Sequence, residues 1–157
     1  MLEKIEEFNW VVTKEQSKKH VVDTFEVKKA YKKLIFSCSY SPKYLEDQQE
    51  CLKLMREAIE KAGLEQTDFS DIDLIERVPL ANHISWSIDS PKEWIGTKHK
   101  HNPNQILTIS PEKSTFGFFN TPIYEGQWRI TASLNAILTD EVEIHVLVEG
   151  EIEDEMD

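Results

Sequence analysis

Apolar and polar residues alternate along much of this chain, with period two. Over residues 20–27, Val21, Asp23, Phe25 and Val27 share one side, and Val22, Thr24 and Glu26 share the other. Residues 33–39 place Leu34, Phe36 and Cys38 together. Residues 83–89 set Ile84, Trp86 and Ile88 against His83, Ser85, Ser87 and Asp89. The same alternation returns in 128–134, where Trp128, Ile130, Ala132 and Leu134 read as inward, and in 142–148. Residues 8–13 and 105–110 complete the set of strands, each bounded by turn-forming or charged residues. Residues 114–120 hold Phe116, Phe118 and Phe119 around Gly117 and read as an aromatic-anchored crossing loop.

The period changes once. Leu45, Leu52, Met55, Ile59 and Ala62 fall on one face of a helix, which the spacing predicts over about 44–62. Ser41-Pro42 is a plausible start, because serine caps free amides and proline suits the first helical position. Gly63 is the stop. Residues 64–77 read as a long ordered loop with at most a turn of helix. Seven or eight strands with irregular connections and one inserted helix predict a mainly β protein, an antiparallel two-sheet β-sandwich of jelly-roll type.

At 157 residues the chain suits one domain, taken as 1–148, followed by an acidic tail at 149–157. That tail holds Glu149, Glu151, Glu153, Asp154, Glu155 and Asp157 and no base, and reads as a solvated end. A net charge of −11 repels phosphate backbones, so no nucleic-acid partner is expected. No apolar run is long enough to span a bilayer, and no membrane partner is expected. The acidic start of the chain lacks a signal-peptide core, which makes the cytoplasm the expected location. Cys38 and Cys51 are expected to be free, small apolar side chains.

Chemistry is sparse. No P-loop, G-x-G-x-x-G or G-x-S-x-G occurs, so no catalytic residue and no cofactor is assigned. His99-Lys-His101 would put two imidazoles on one side of an extended segment, with Asp89 as a third candidate metal ligand. The competing reading is a surface Lys/His cluster. Trp86 and Trp128 are assigned to the core by patterning, whereas Trp94, in the turn block 89–96, is a candidate for an exposed contact.

The run 79–148 carries an ordered set: Pro79, Leu80, Asn82, Asp89, Pro91, Trp94, Gly96, His99, His101, Gly117, Phe118, Pro122, Gly126 and Trp128, after an earlier Tyr40-Ser-Pro42. This spacing resembles the β-sandwich domain found N-terminal to the catalytic domain in some PHP-type metallophosphoesterases. The His/Asp metal-binding motifs of the PHP catalytic domain are absent from the sequence, and Ile95 stands where such domains often carry arginine. The resemblance therefore implies an accessory sandwich and not phosphoesterase activity in this chain. The expectation is a non-catalytic binding module for a protein partner or a small polar ligand, acting through Asp89, Trp94, His99 and His101. Two alternatives stand beside it: a small metal-dependent hydrolase or phosphoesterase, and a homodimeric structural protein joined through sheet edges.

Overall fold

A computed structural model describes residues 1–100 and 102–153. Among the described residues ten strands form in order: β1 (Leu2–Thr13), β2 (His20–Val27), β3 (Lys33–Ser41), β4 (Tyr44–Leu45), β5 (Leu80–Ala81), β6 (His83–Asp89), β7 (Trp94–Lys98), β8 (Asn104–Ile109), β9 (Gly126–Ala136) and β10 (Glu141–Glu151). Two helices, α1 (Gln48–Lys61) and α2 (Asp71–Ile75), lie between β4 and β5. The long strands make two antiparallel four-stranded sheets, ordered β1-β10-β3-β8 and β2-β9-β6-β7. This order is that of a jelly roll, as the alternating pattern predicts. Among successive long strands, only β6 and β7 are sheet neighbours; every other connection crosses between the sheets.

The period-two residues supply the core. Phe25, Phe36, Trp86, Trp128, Ile130 and Leu34 are buried between the sheets with the inward residues of β10. Phe25 meets Phe36 edge-on at 5.8 Å and stacks on Trp128 at 6.4 Å. Trp128 also donates its indole N–H to the Tyr124 carbonyl (2.8 Å), so burying that ring strands no donor. Cys38 and Cys51 are both free and buried.

Three local expectations are corrected. Ser41 does not cap a helix. It is the last residue of β3 and pairs with Glu143 of β10, because the sheet ladder outcompetes a local cap. Leu45 likewise pairs with Leu80 in the small β4-β5 sheet that closes the neck of the helical insertion. The helix starts later, where the Asp47 carboxylate accepts from the Glu50 amide (3.0 Å). Its end is as expected: Gly63 takes φ 71°, the Gly63 amide bonds to Glu60 and the Leu64 amide to Ile59, which is a Schellman closure. The 64–77 segment contains α2, capped by Ser70, as well as a single turn at Gln66–Asp68. Together these pack on α1, with the Arg56 guanidinium bonded to the Gln66 carbonyl (3.1 Å).

At the C-terminus, Glu149, Gly150 and Glu151 are strand rather than tail. They extend β10 against Leu2–Lys4 of β1 and Lys33–Ile35 of β3. Ile152 follows, packed on the core, and its amide bonds to the Met1 carbonyl (3.0 Å). One apolar residue and two waiting strand edges outweigh the acidic composition there. Among the described residues, no helix is long and apolar enough to cross a membrane.

Candidate functional site: an aromatic edge on β7

β6 and β7 form a hairpin whose turn is built on Ser90. Its hydroxyl accepts from the amides of Lys92 (3.2 Å) and Glu93 (3.1 Å), and its own amide bonds to the Glu93 carbonyl (2.8 Å). β7 is the outer strand of its sheet. Ile95 turns into the core, so by alternation Trp94 turns out and is 52% exposed. Trp94 therefore lies in a strand, not in a turn as its sequence context suggests, and is exposed as expected.

A second segment closes onto this edge. Residues 115–119 run along β7, joined by a bridge between Gly96 and Phe118. The Thr97 amide bonds to the Gly117 carbonyl (3.2 Å), and the Phe119 amide bonds to the Ile95 carbonyl (2.8 Å). Gly96 is required here: it adopts φ 150°, and a Cβ would overlap the Gly117 carbonyl and Phe118. The strap is held by its own side chains. Ser114 takes Asn120 Oδ1 on its amide (2.8 Å), and Asn120 donates to the Glu112 carbonyl (3.0 Å). Thr115 caps the adjoining edge of β8 through Thr108 (both bonds 2.8 Å).

Of the three strap phenylalanines, only Phe118 enters the core. Phe116 is 90% exposed and Phe119 66% exposed. Phe119 meets Trp94 edge-on at 6.3 Å. Lys98 reaches back along the strap, donating to the Phe116 carbonyl (3.2 Å) with its ammonium 5.8 Å from that ring. Lys92 stands 4.1 Å over the Tyr124 ring at the hairpin turn. Three large rings in solvent on one hydrogen-bonded edge, with cations among them, form a surface suited to contact.

The residues singled out in sequence are thus only partly gathered. Trp94 is central. Asp89 ends β6 opposite Trp94 and Arg129, at the turn end of β7. His99 is exposed and follows the other end of β7, five residues beyond Trp94 and so roughly 16 Å along the strand. Asp89 and His99 do not converge on one ion. His101 lies outside the described residues, and among those described no cluster of three or more His, Cys, Asp or Glu could hold a metal. Phe116 and Phe119, read in the sequence as part of an aromatic-anchored loop, were not singled out as site residues. Alternation puts Phe118 and Phe119 on opposite sides, which was legible in the sequence; Phe116 would share the side of Phe118 and faces out only because it lies in the turn where Gly117 takes φ 105°.

Several residues of the ordered set have structural work. Asn82 is fully buried. Its amide donates to the Pro42 carbonyl (2.9 Å) and Thr139 Oγ1 (3.0 Å), and its oxygen accepts from the Leu138 amide (2.7 Å). Gly96, Gly117 and Phe118 dock the strap, and Trp128 fills the core.

Fold and site together define a jelly-roll β-sandwich with a solvent-facing aromatic edge. No protein-family model matches the chain, and no curated protein matches it. Among solved structures it is similar to a dimeric latent PorU from Porphyromonas gingivalis, at 7% identity and a TM-score of 0.35, over 95% of this chain and 13% of that one.

Proposed function

We propose that the protein is a non-catalytic binding module that engages its partner through the β7 edge and the 115–119 strap. The observation that carries this reading is the exposed triad Trp94, Phe116 and Phe119, held on a hydrogen-bonded frame instead of being folded away. Apolar rings beside Lys92 and Lys98 favour a polypeptide segment that offers apolar side chains and negative charge. The resemblance of the 79–148 run to accessory sandwiches of PHP-type phosphoesterases supports the same kind of role, with catalysis on another domain or chain. The cytoplasm suits the two free cysteines.

The test is an acidic, aromatic-containing peptide array read with the native protein and with Trp94→Ala and Phe119→Ala. A central tryptophan contributes about 2 kcal/mol or more to such a contact, so binding falls roughly thirtyfold in the first variant. Equal binding by all three proteins would show that the edge is not the site. The homodimer alternative would use β1 and β2, the sheet edges that the 110–121 loop leaves uncovered. A dimer mass by light scattering that survives Trp94→Ala would favour it.

A further inference from the structure

On the far side of the β1-β10-β3-β8 sheet, away from the core, four side chains stand in one row. Asn9 of β1 is paired with His145 of β10, His145 with Ser39 of β3, and Ser39 with Asn104 of β8. With strands about 4.8 Å apart, the row spans roughly 14 Å. We propose that this row is the floor of a second binding site, for a neutral oligosaccharide.

The shape comes from the middle strand. The outward positions of β3 near the row are Ser37, Ser39 and Ser41, so the sheet surface sinks between taller neighbours. Two adjoining cavities, of about 630 Å³ and about 350 Å³, meet over Ser39, Asn104 and His145. The His145 ring is fixed by donating from Nε2 to Glu7 Oε2 (2.6 Å). Lys43 closes one end, tied to the Tyr40 hydroxyl (3.0 Å) and the Asn82 carbonyl (2.8 Å).

The chemistry of the floor selects the ligand. The side chains of Asn9, Ser39 and Asn104 make no hydrogen bond to another described group, so their donors and acceptors are open to a guest. Amides and hydroxyls both donate and accept, as do the vicinal hydroxyls of a sugar. Val11 (60% exposed) and Ile106 (68% exposed) flank the two ends and offer apolar surface to sugar C–H faces. Glu7 and Glu143 outnumber Lys43, so nothing here concentrates positive charge for a phosphate or a uronate. A folded partner's flat surface would bridge the trough and leave these polar groups on trapped water, gaining no direct contact from them.

The test titrates the intact protein with neutral cello-, xylo-, manno-, malto- and chito-oligosaccharides, followed by backbone amide shifts and calorimetry. At least one class is expected to saturate, with a Kd on the order of 1 mM or tighter. The shifts should centre on Asn9, Ser39, Asn104 and His145. Ser39→Phe fills the trough and abolishes binding. Asn9→Ala and Asn104→Ala, at exposed positions that leave the fold intact, each weaken it roughly three- to tenfold. Trp94→Ala leaves it unchanged, which separates this site from the β7 edge. The proposal is overturned if no saccharide shifts the row at concentrations on the order of 10 mM. It is equally overturned if the shifts map to Trp94 and Phe119, or if both asparagine variants bind like the native protein. A protein ligand blocked by Ser39→Phe, with no saccharide bound, would reassign the trough to protein recognition.

Discussion

Asn82 and Trp94 come from the same ordered set of residues and have opposite duties. Asn82 is buried where the neck of the helical insertion meets the 138–139 turn, and its side chain holds two acceptors and a donor in place. Replacing it with alanine leaves the Leu138 amide and the Pro42 carbonyl without that partner. Asn82→Ala is expected to cost about 2–4 kcal/mol, read as a shifted midpoint in urea unfolding. Trp94 touches Phe119 and Thr97 at the surface, with its indole N–H 3.3 Å from Thr97 Oγ1. Trp94→Ala should move the same midpoint by no more than about 0.5 kcal/mol while removing the binding expected of the edge. A large loss of stability in Trp94→Ala would make that tryptophan structural. The sequence singles out Trp94 as an exposed contact but gives Asn82 no duty of its own; burial and hydrogen bonding supply that one.

At the scale of elements, the insertion shows local signals competing with long-range pairing. Ser41-Pro42 reads as the helix start, but the strand claimed it because β10 was there to pair with Ser41, and the cap fell to Asp47. Asp47→Ala should therefore destabilise the insertion by about 1 kcal/mol, seen as faster amide exchange in the first turn of α1. Ser41→Ala should leave that exchange unchanged; the reverse result would restore the earlier helix start. The 110–121 loop shows the complementary case. It has no periodicity to predict it, yet it covers the outer edges of β7 and β8 at once, through Thr97, Phe119 and Thr108. Covering those edges leaves Phe119 in solvent, because a segment laid along a strand turns only alternate side chains inward, and Phe116 stays out because it lies in the turn where Gly117 takes φ 105°.

Across the whole molecule, ion pairs on β1 and one buried phenol make stability depend on pH at both extremes. Lys29, followed by Tyr31, bonds to Glu3 and holds its carboxyl below the usual 4.5; His145, followed by Lys4, does the same to Glu7. Both ion-pair sets tie β1 to its neighbours. Because the folded state prefers these carboxylates charged, their contribution is complete above the ordinary value and disappears as pH falls through the lowered ones. Melting temperature should therefore fall below about pH 4.5, and Glu7→Gln should flatten part of that slope. Tyr40 is opposite in sign. Burial pushes its phenol up to about 12, so the fold favours the neutral form. Stability present below pH 10 should be lost as pH rises towards 12, together with the absorbance change of tyrosinate formation. A flat melting curve over that interval would mean that Tyr40 ionises without cost.

The sequence by itself determined the fold class, the inward faces of the strands, the burial of Trp86 and Trp128, and the end of α1 at Gly63. Each of these follows from a two-residue or 3.6-residue period, or from one residue's backbone preference, and such local rules are legible without knowing any partner. Only the tertiary structure decided that Ser41 belongs to β3 and that residues 149–151 belong to β10. It alone separated Asp89 from His99 along β7, and it alone set Asn9, His145, Ser39 and Asn104 in one row. Those outcomes depend on which strand lies beside which. In a jelly roll, where nearly every connection crosses between sheets, neighbours in space are distant in the chain, and their register is fixed by the packed core.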